Sequence, residues 1–189
     1  MRSMKKLGVL VAVFALCAIG AANASAAPQF TASATGELTG KALETQKFKT
    51  NGGTVECKKI DVVATIPAIA SPEQHVTIKY TECSAFGFPV DDIHATYLFT
   101  ADGSVHVVEE ISITVTGGIF GECTVKVPKQ TDKSVTYDSV SGKIKVTPNV
   151  TGIKYTSSGG ICGSSGENGT YTGASEIERV GGGTISWDA

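Results

Sequence analysis

The sequence predicts an all-β protein, built as an antiparallel β-sandwich or a jelly-roll-like fold. Short segments in which apolar and polar residues alternate recur along the chain, and Gly-rich turns separate them. The 22 glycines and the charged fraction of only 18% are typical of β-structure rather than of disorder. Lys41–Phe48 is the only segment with a candidate helical pattern.

The first 26 residues have the three parts of a secretory signal peptide. Basic residues come first, an apolar run follows at 7–19, and an A-x-A cleavage signal ends at Ala26. The apolar run of about 13 residues is shorter than the ~20 residues that cross a bilayer. We therefore expect a secreted, extracellular protein in which residues 27–189 form one all-β domain, with no membrane span after cleavage.

The charge of the mature chain argues against binding to nucleic acid. Three of the 16 Lys and Arg residues belong to the signal peptide, which leaves 13 basic against 18 acidic side chains. Nucleic-acid binding needs a concentrated basic face. The lysine-dense stretches, at 41–49 and 58–59, are mixed with polar or acidic residues.

Four cysteines remain after cleavage, and an even number in an exported chain indicates disulfides: Cys57, Cys83, Cys123 and Cys162. Their successive spacings of 26, 40 and 39 residues contain no C-x-x-C or Cys/His ligand pattern. We therefore expect no metal site and no cofactor. Three connectivities are possible for four cysteines.

The two halves of the chain share an order of short motifs. Phe-Thr-Ala, Gly-Gly, Glu-Cys and Ile-Lys-Tyr-Thr occur in the same order in both, followed each time by a cysteine. An internal duplication of about 28–90 and 91–175 is one explanation. The other is chance, because β-strands use few residue types and short motifs recur in them. Duplication favours the bridges with the shortest loops, Cys57–Cys83 and Cys123–Cys162.

One hairpin is predicted in detail around Asp102-Gly103. A three-residue loop with Gly103 in the left-handed conformation places Phe99 opposite Val105 and Tyr97 opposite Val107. One side of the hairpin is then largely apolar. A two-residue loop would instead put a phenylalanine opposite a histidine, which packs less well.

The segment Tyr80–Pro89, with Tyr97-Leu98-Phe99 and the segments of the last two cysteines, is similar to a group of small secreted actinobacterial proteins of unknown function. The likeness covers most of the mature chain, and it implies no activity. Such proteins often have further cysteines near the positions of Ala95 and Glu109. This chain lacks them, so no disulfide is expected across that hairpin.

The sequence offers no catalytic pattern, so we expect a protein that is not an enzyme. The serines of Gly163–Gly166 lack the spacing of a nucleophile elbow. The carboxylate pairs are adjacent in sequence, and neighbouring strand residues point to opposite faces. His94 and His106 share a face of the predicted hairpin but lie too far apart to ligate one metal.

Exposed aromatic side chains are the candidate binding residues. Phe86 and Phe88 flank a glycine in a predicted loop, and Trp187 lies near the C-terminus. Aromatic rings can stack on sugars, although packing in the core is the competing explanation for most of them. The leading hypothesis is an exported non-catalytic module with a structural or adhesive role. The alternative is a module that binds carbohydrate or cell wall, with cell-wall polysaccharide or a surface protein as partner, and the third is an extracellular hydrolase.

Overall fold

The computed structural model describes residues 27–117, 121–159 and 162–189, so the predicted signal peptide at 1–26 lies outside the described residues. Every regular element within these ranges is a β-strand, which confirms the all-β class. The strands in chain order are β1 (Gln29–Ala32), β2 (Gly36–Ala42), β3 (Gln46–Lys49), β4 (Thr54–Ile66), β5 (Ala70–Ser71), β6 (Glu73–Ala85), β7 (Phe88–Val90), β8 (Ile93–Thr100), β9 (Ser104–Val107), β10 (Ile111–Thr116), β11 (Glu122–Val127), β12 (Gln130–Lys133), β13 (Val135–Val140), β14 (Lys143–Ser158), β15 (Gly166–Thr172), β16 (Ser175–Arg179) and β17 (Ile185–Asp188).

The strands β4 and β6 are antiparallel neighbours of 13 residues each. β6 also pairs with β7 and β8, while β4 also pairs with β3 and β2. From β7 the pairing continues through β10, β11, β14 and β15 to β3, which leads back to β4. These pairings form a closed circuit around the interior.

The 16-residue strand β14 belongs to two sheets. Its first part, 143–148, pairs with β13 and β16, and its second part, 149–158, pairs with β15 and β11. A third sheet contains β17, β1 and β5. The apolar faces of these sheets enclose one hydrophobic core, as in a β-sandwich.

In both β4 and β6, the alternation of buried and exposed residues is interrupted by one extra residue. The two interruptions lie opposite each other. Cys57 and Ile60 are both buried on β4, and Tyr80 and Cys83 are both buried on β6. Glu82 lies at this level with φ of 52°, a left-handed conformation that is uncommon for residues other than glycine. The shift keeps both ends of each strand apolar towards the core.

The predicted hairpin register is confirmed. Tyr97 pairs with Val107 and Phe99 pairs with Val105 between β8 and β9, and Gly103 has φ of 84°. The pairing does not continue to Glu109 as expected, because β9 ends at Val107 and the chain turns towards β10.

The two disulfides have the connectivity that the motif order favours. Cys57 and Cys83 are directly opposite each other on β4 and β6, with 4.0 Å between their Cα atoms. Cys123 on β11 is bonded to Cys162, and both are fully buried. The bridges are compatible with an extracellular location. The internal duplication remains a prediction.

Candidate functional site

A cavity of about 170 Å³, partly open to solvent, lies between the sheets. Its lining is almost wholly apolar and comes from strands of all three sheets. Representative lining residues are Phe30, Leu38, Val76, Val107, Ile113 and Ile177. Apolar cavities of about 150 Å³ can bind benzene. The interior therefore has room for one small apolar molecule.

Three tyrosine hydroxyls and one glutamine form a continuous hydrogen-bonded row along the wall of this cavity. The Tyr97 and Tyr80 hydroxyl oxygens are 3.1 Å apart, and the Tyr80 and Tyr171 oxygens are 3.2 Å apart. The Tyr171 hydroxyl donates to Oε1 of Gln46 at 2.6 Å. These four residues, which we call the tyrosine chain, lie on β8, β6, β15 and β3 and so connect strands that are not all neighbours.

The direction of every proton in the tyrosine chain follows from Gln46. Its Nε2 donates to two backbone carbonyls, at 2.8 and 3.0 Å, so its Oε1 is the atom that faces Tyr171. An amide oxygen only accepts, so the Tyr171 proton points to it. The Tyr171 oxygen must then accept from Tyr80, and the Tyr80 oxygen from Tyr97. The Tyr97 oxygen is left as an acceptor at the end of the row.

Burial governs the acidity of these tyrosines. Desolvation, followed by the neighbouring tyrosines, raises the pKa of Tyr80 well above its usual value. Desolvation raises the pKa of Tyr97 to about 12 and that of Tyr171 further. All three hydroxyls are therefore neutral at physiological pH. Tyr97 and Tyr171 keep some accessible surface, and both line the cavity.

Asp132 adds a carboxylate to the lining of the cavity. It lies on β12 opposite Val105, which in turn pairs with Phe99, so it belongs to the inward-facing row of this part of the sheet. Desolvation raises the pKa of its carboxyl group. No hydrogen bond or ion pair joins this carboxylate to another side chain in the described part of the chain.

The three aromatic residues that the sequence suggested for binding do not form one surface. Phe86 follows the last residue of β6, and the residue is 42% exposed at the tip of the β6–β7 hairpin. Phe88 is half-buried and packs against the core. Trp187 pairs with Phe30, which pairs with Ser71 near the other end of β6, a strand roughly 40 Å long at ~3.3 Å per residue.

Trp187 is held in place by the protein itself. Its indole Nε1 donates to the backbone oxygen of Ala101 at 2.9 Å. Its ring centre lies 6.0 Å from that of Tyr137, whose other neighbour is the ring of Phe30 at 5.0 Å. These contacts favour packing over sugar stacking for Trp187.

The residues that were considered for catalysis are dispersed. His106 pairs with Leu98, which is four residues along β8 from His94. The Nδ1 atom of His106 forms a hydrogen bond of 2.7 Å with the hydroxyl of Thr131. The Ser164 hydroxyl accepts from Asn51 at 3.0 Å and so fixes a loop. Within 27–117, 121–159 and 162–189, no three His, Cys, Asp or Glu side chains are grouped to hold a metal.

Sequence reasoning missed the tyrosine chain, although one signal was present. Gln46-Lys47-Phe48 alternates, which puts Gln46 on the inward face beside Phe48. A glutamine at such a position needs internal partners, because a buried amide without them is costly. That signal does not identify the partners, since Tyr171 lies 125 residues further along the chain.

Comparisons with known proteins leave the site to be interpreted from its own geometry. No protein-family model, curated protein or solved structure matches this chain. No helix of the described ranges has the length and apolarity to cross a membrane.

Proposed function

We propose that this is an exported, non-catalytic binding protein that holds one small apolar molecule in its internal cavity. The observation that carries the proposal is the apolar cavity of about 170 Å³ with a small group of convergent polar atoms on its wall. Binding sites for small molecules are typically apolar cavities with a few polar groups that fix orientation. The function expected from the sequence, a structural or adhesive role at the surface, does not require such a cavity.

The volume limits the ligand to about one ring or a short chain. Small ligands gain on the order of 0.3 to 1.5 kcal/mol per non-hydrogen atom. Toluene has seven such atoms, and an intermediate value gives a Kd on the order of 0.1–1 mM. Affinity in this range is measurable by calorimetry or by NMR titration.

The test is binding of toluene to the oxidised mature protein and to two variants. Val107→Phe places a ring at the cavity wall, whereas Val63→Phe adds the same ring on β4 where the side chain is 70% exposed. We expect toluene to bind the native protein and Val63→Phe equally, and to bind Val107→Phe at least tenfold more weakly. Ile113→Phe, on another part of the wall, is a second filling variant in case Val107→Phe does not fold.

Two outcomes would contradict the proposal. One is that toluene at millimolar concentration causes no change in the NMR spectrum and no increase in the free energy of unfolding, which a bound ligand must increase. The other is equal binding by the native protein and by folded filling variants, because the site would then lie outside the cavity.

A second candidate, binding to carbohydrate or cell wall, is supported by the exposure of Phe86. This residue is 42% exposed at the tip of the β6–β7 hairpin, whose two-residue loop accounts for its positive φ of 55°. Retention on peptidoglycan should fall for Phe86→Ala and not for Leu43→Ala, a similarly exposed apolar residue at 46%. Equal retention of both variants would remove this candidate.

A further inference from the structure

The tyrosine chain presents an acceptor and no donor to the cavity. Each of its three hydroxyl protons is engaged, in the order Tyr97 to Tyr80, Tyr80 to Tyr171, and Tyr171 to Gln46. The Tyr97 oxygen accepts no hydrogen bond within the tyrosine chain, so its lone pairs remain available to a ligand. A ligand with only acceptor atoms would have to take the Tyr97 proton away from Tyr80, so one hydrogen bond would replace another without net gain.

Asp132 adds a second acceptor to the same cavity. Its carboxylate belongs to the inward row of β12 and β9, and its negative charge contributes to raising the pKa of Tyr97. An ionised carboxylate has only acceptor positions. Among the described side chains, none donates a hydrogen bond to it. A partly desolvated carboxylate of this kind is stabilised by a donor and disfavours a second anion.

We propose that the molecule bound in the cavity carries a hydrogen-bond donor: a hydroxyl, which donates to the Tyr97 oxygen, or a protonated amine, which donates to the Asp132 carboxylate. This inference rests on the proposed function, because it specifies the ligand of the same cavity. The apolar part of the ligand lies against the aliphatic wall, and its donor faces one of these two acceptors. An ether, a ketone or a carboxylate of the same size has no donor for either of them.

The test uses four probes of one ring each: toluene, anisole, benzyl alcohol and protonated benzylamine. Anisole and benzyl alcohol are isomers, and only the alcohol is a donor. Each Kd is measured at pH 7 for the native protein, for Tyr97→Phe and for Asp132→Asn.

Removing an acceptor should affect only the donor probes. A buried donor that loses its partner becomes unfavourable, so we expect Tyr97→Phe to weaken benzyl alcohol about tenfold. Toluene and anisole should stay within about twofold of their native Kd. Asp132→Asn should weaken benzylamine about tenfold or more, because it removes the countercharge, with little effect on toluene. If Tyr97→Phe does not fold, the Asp132→Asn comparison tests the same inference.

The possible failures are distinguishable. If toluene does not bind the native protein, the proposed function fails, and the inference fails with it. If toluene binds but benzyl alcohol and anisole respond alike to Tyr97→Phe, the cavity is a binding site with no preference for donors. An unchanged Kd of benzylamine in Asp132→Asn, with toluene bound, likewise overturns the role of the carboxylate.

Discussion

The proton order in the tyrosine chain predicts that its two ends differ in their contribution to stability. Tyr171→Phe removes the donor to Gln46 Oε1 and the acceptor of the Tyr80 proton. Gln46 is only 2% exposed, so its amide oxygen is left buried without a partner. One hydroxyl proton is also left without an acceptor, whichever of Tyr80 and Tyr97 donates to the other. With about 1–3 kcal/mol for each unsatisfied buried group, we expect a loss of about 3 kcal/mol.

Tyr97→Phe removes one hydrogen bond, but every remaining hydroxyl proton of the tyrosine chain keeps its acceptor. Tyr80 still donates to Tyr171, and Tyr171 still donates to Gln46. The expected loss is that of a single net hydrogen bond, about 1 kcal/mol. Both substitutions keep the aromatic ring, so each is the packing control of the other.

The measurement is urea unfolding at pH 7 with both disulfides intact, followed by circular dichroism and by the fluorescence of Trp187. With an m-value of about 2 kcal/mol per M, Tyr171→Phe should lower the midpoint by about 1.5 M and Tyr97→Phe by about 0.5 M. Equal losses for the two variants, or a larger loss for Tyr97→Phe, would refute the proton order. The inference about donor ligands would lose its basis with it.

Three further predictions concern pH, the disulfides and one close backbone contact. Folding raises the pKa values of the three tyrosines in the tyrosine chain above about 10. Their contribution to the free energy of unfolding is therefore fully present below pH 10, and above it falls by about 1.4 kcal/mol per pH unit for each of them. The free energy of unfolding should therefore fall between about pH 10 and 12, with tyrosinate absorbance rising as the circular dichroism is lost, and a free energy of unfolding that stays constant over this range would contradict the prediction. Replacing Cys57 and Cys83 together by alanine should cost about 3–4 kcal/mol in urea unfolding, given a loop of 26 residues. A Cβ on Gly52 would overlap the carbonyl oxygen of Cys162, so Gly52→Ala should destabilise the protein and speed the reduction of that disulfide, and an unchanged reduction rate would contradict this.

Local chemistry explains why much of the fold was predictable from the sequence. Alternation identified the strands because each has one face towards the core. The register of the β8–β9 hairpin followed from Asp102-Gly103, because the loop length and the left-handed glycine fix which residues face each other. The disulfide connectivity followed from motif order and loop length.

The features that were not predictable depend on contacts between distant segments. Each of β4 and β6 has two polar residues in succession where the alternation shifts, but only the pairing of the two strands shows that these shifts lie opposite each other. Tyr80 and Tyr171 meet from positions 91 residues apart. Phe86, Phe88 and Trp187 share chemistry in the sequence, but the length of β6 separates Trp187 from the other two. A cavity is harder still to predict, because it is the difference between the enclosed volume and the side chains that fill it.

The disulfides and the cavity are linked through stability. An empty apolar cavity costs about 24 cal/mol per Å³, which gives about 4 kcal/mol for a volume of 170 Å³. Each disulfide closes a loop of 26 or 39 residues and contributes about 3–4 kcal/mol. One of the two bridges is therefore enough to offset the cavity, and a chain with two can keep an incompletely packed interior while remaining folded. A ligand that fills the interior restores part of the lost packing, so ligand binding and disulfide formation stabilise the same folded state by independent means. The effect of toluene on the free energy of unfolding should consequently persist, undiminished, in a folded variant that lacks the Cys123–Cys162 bridge, because neither of these cysteines lines the cavity.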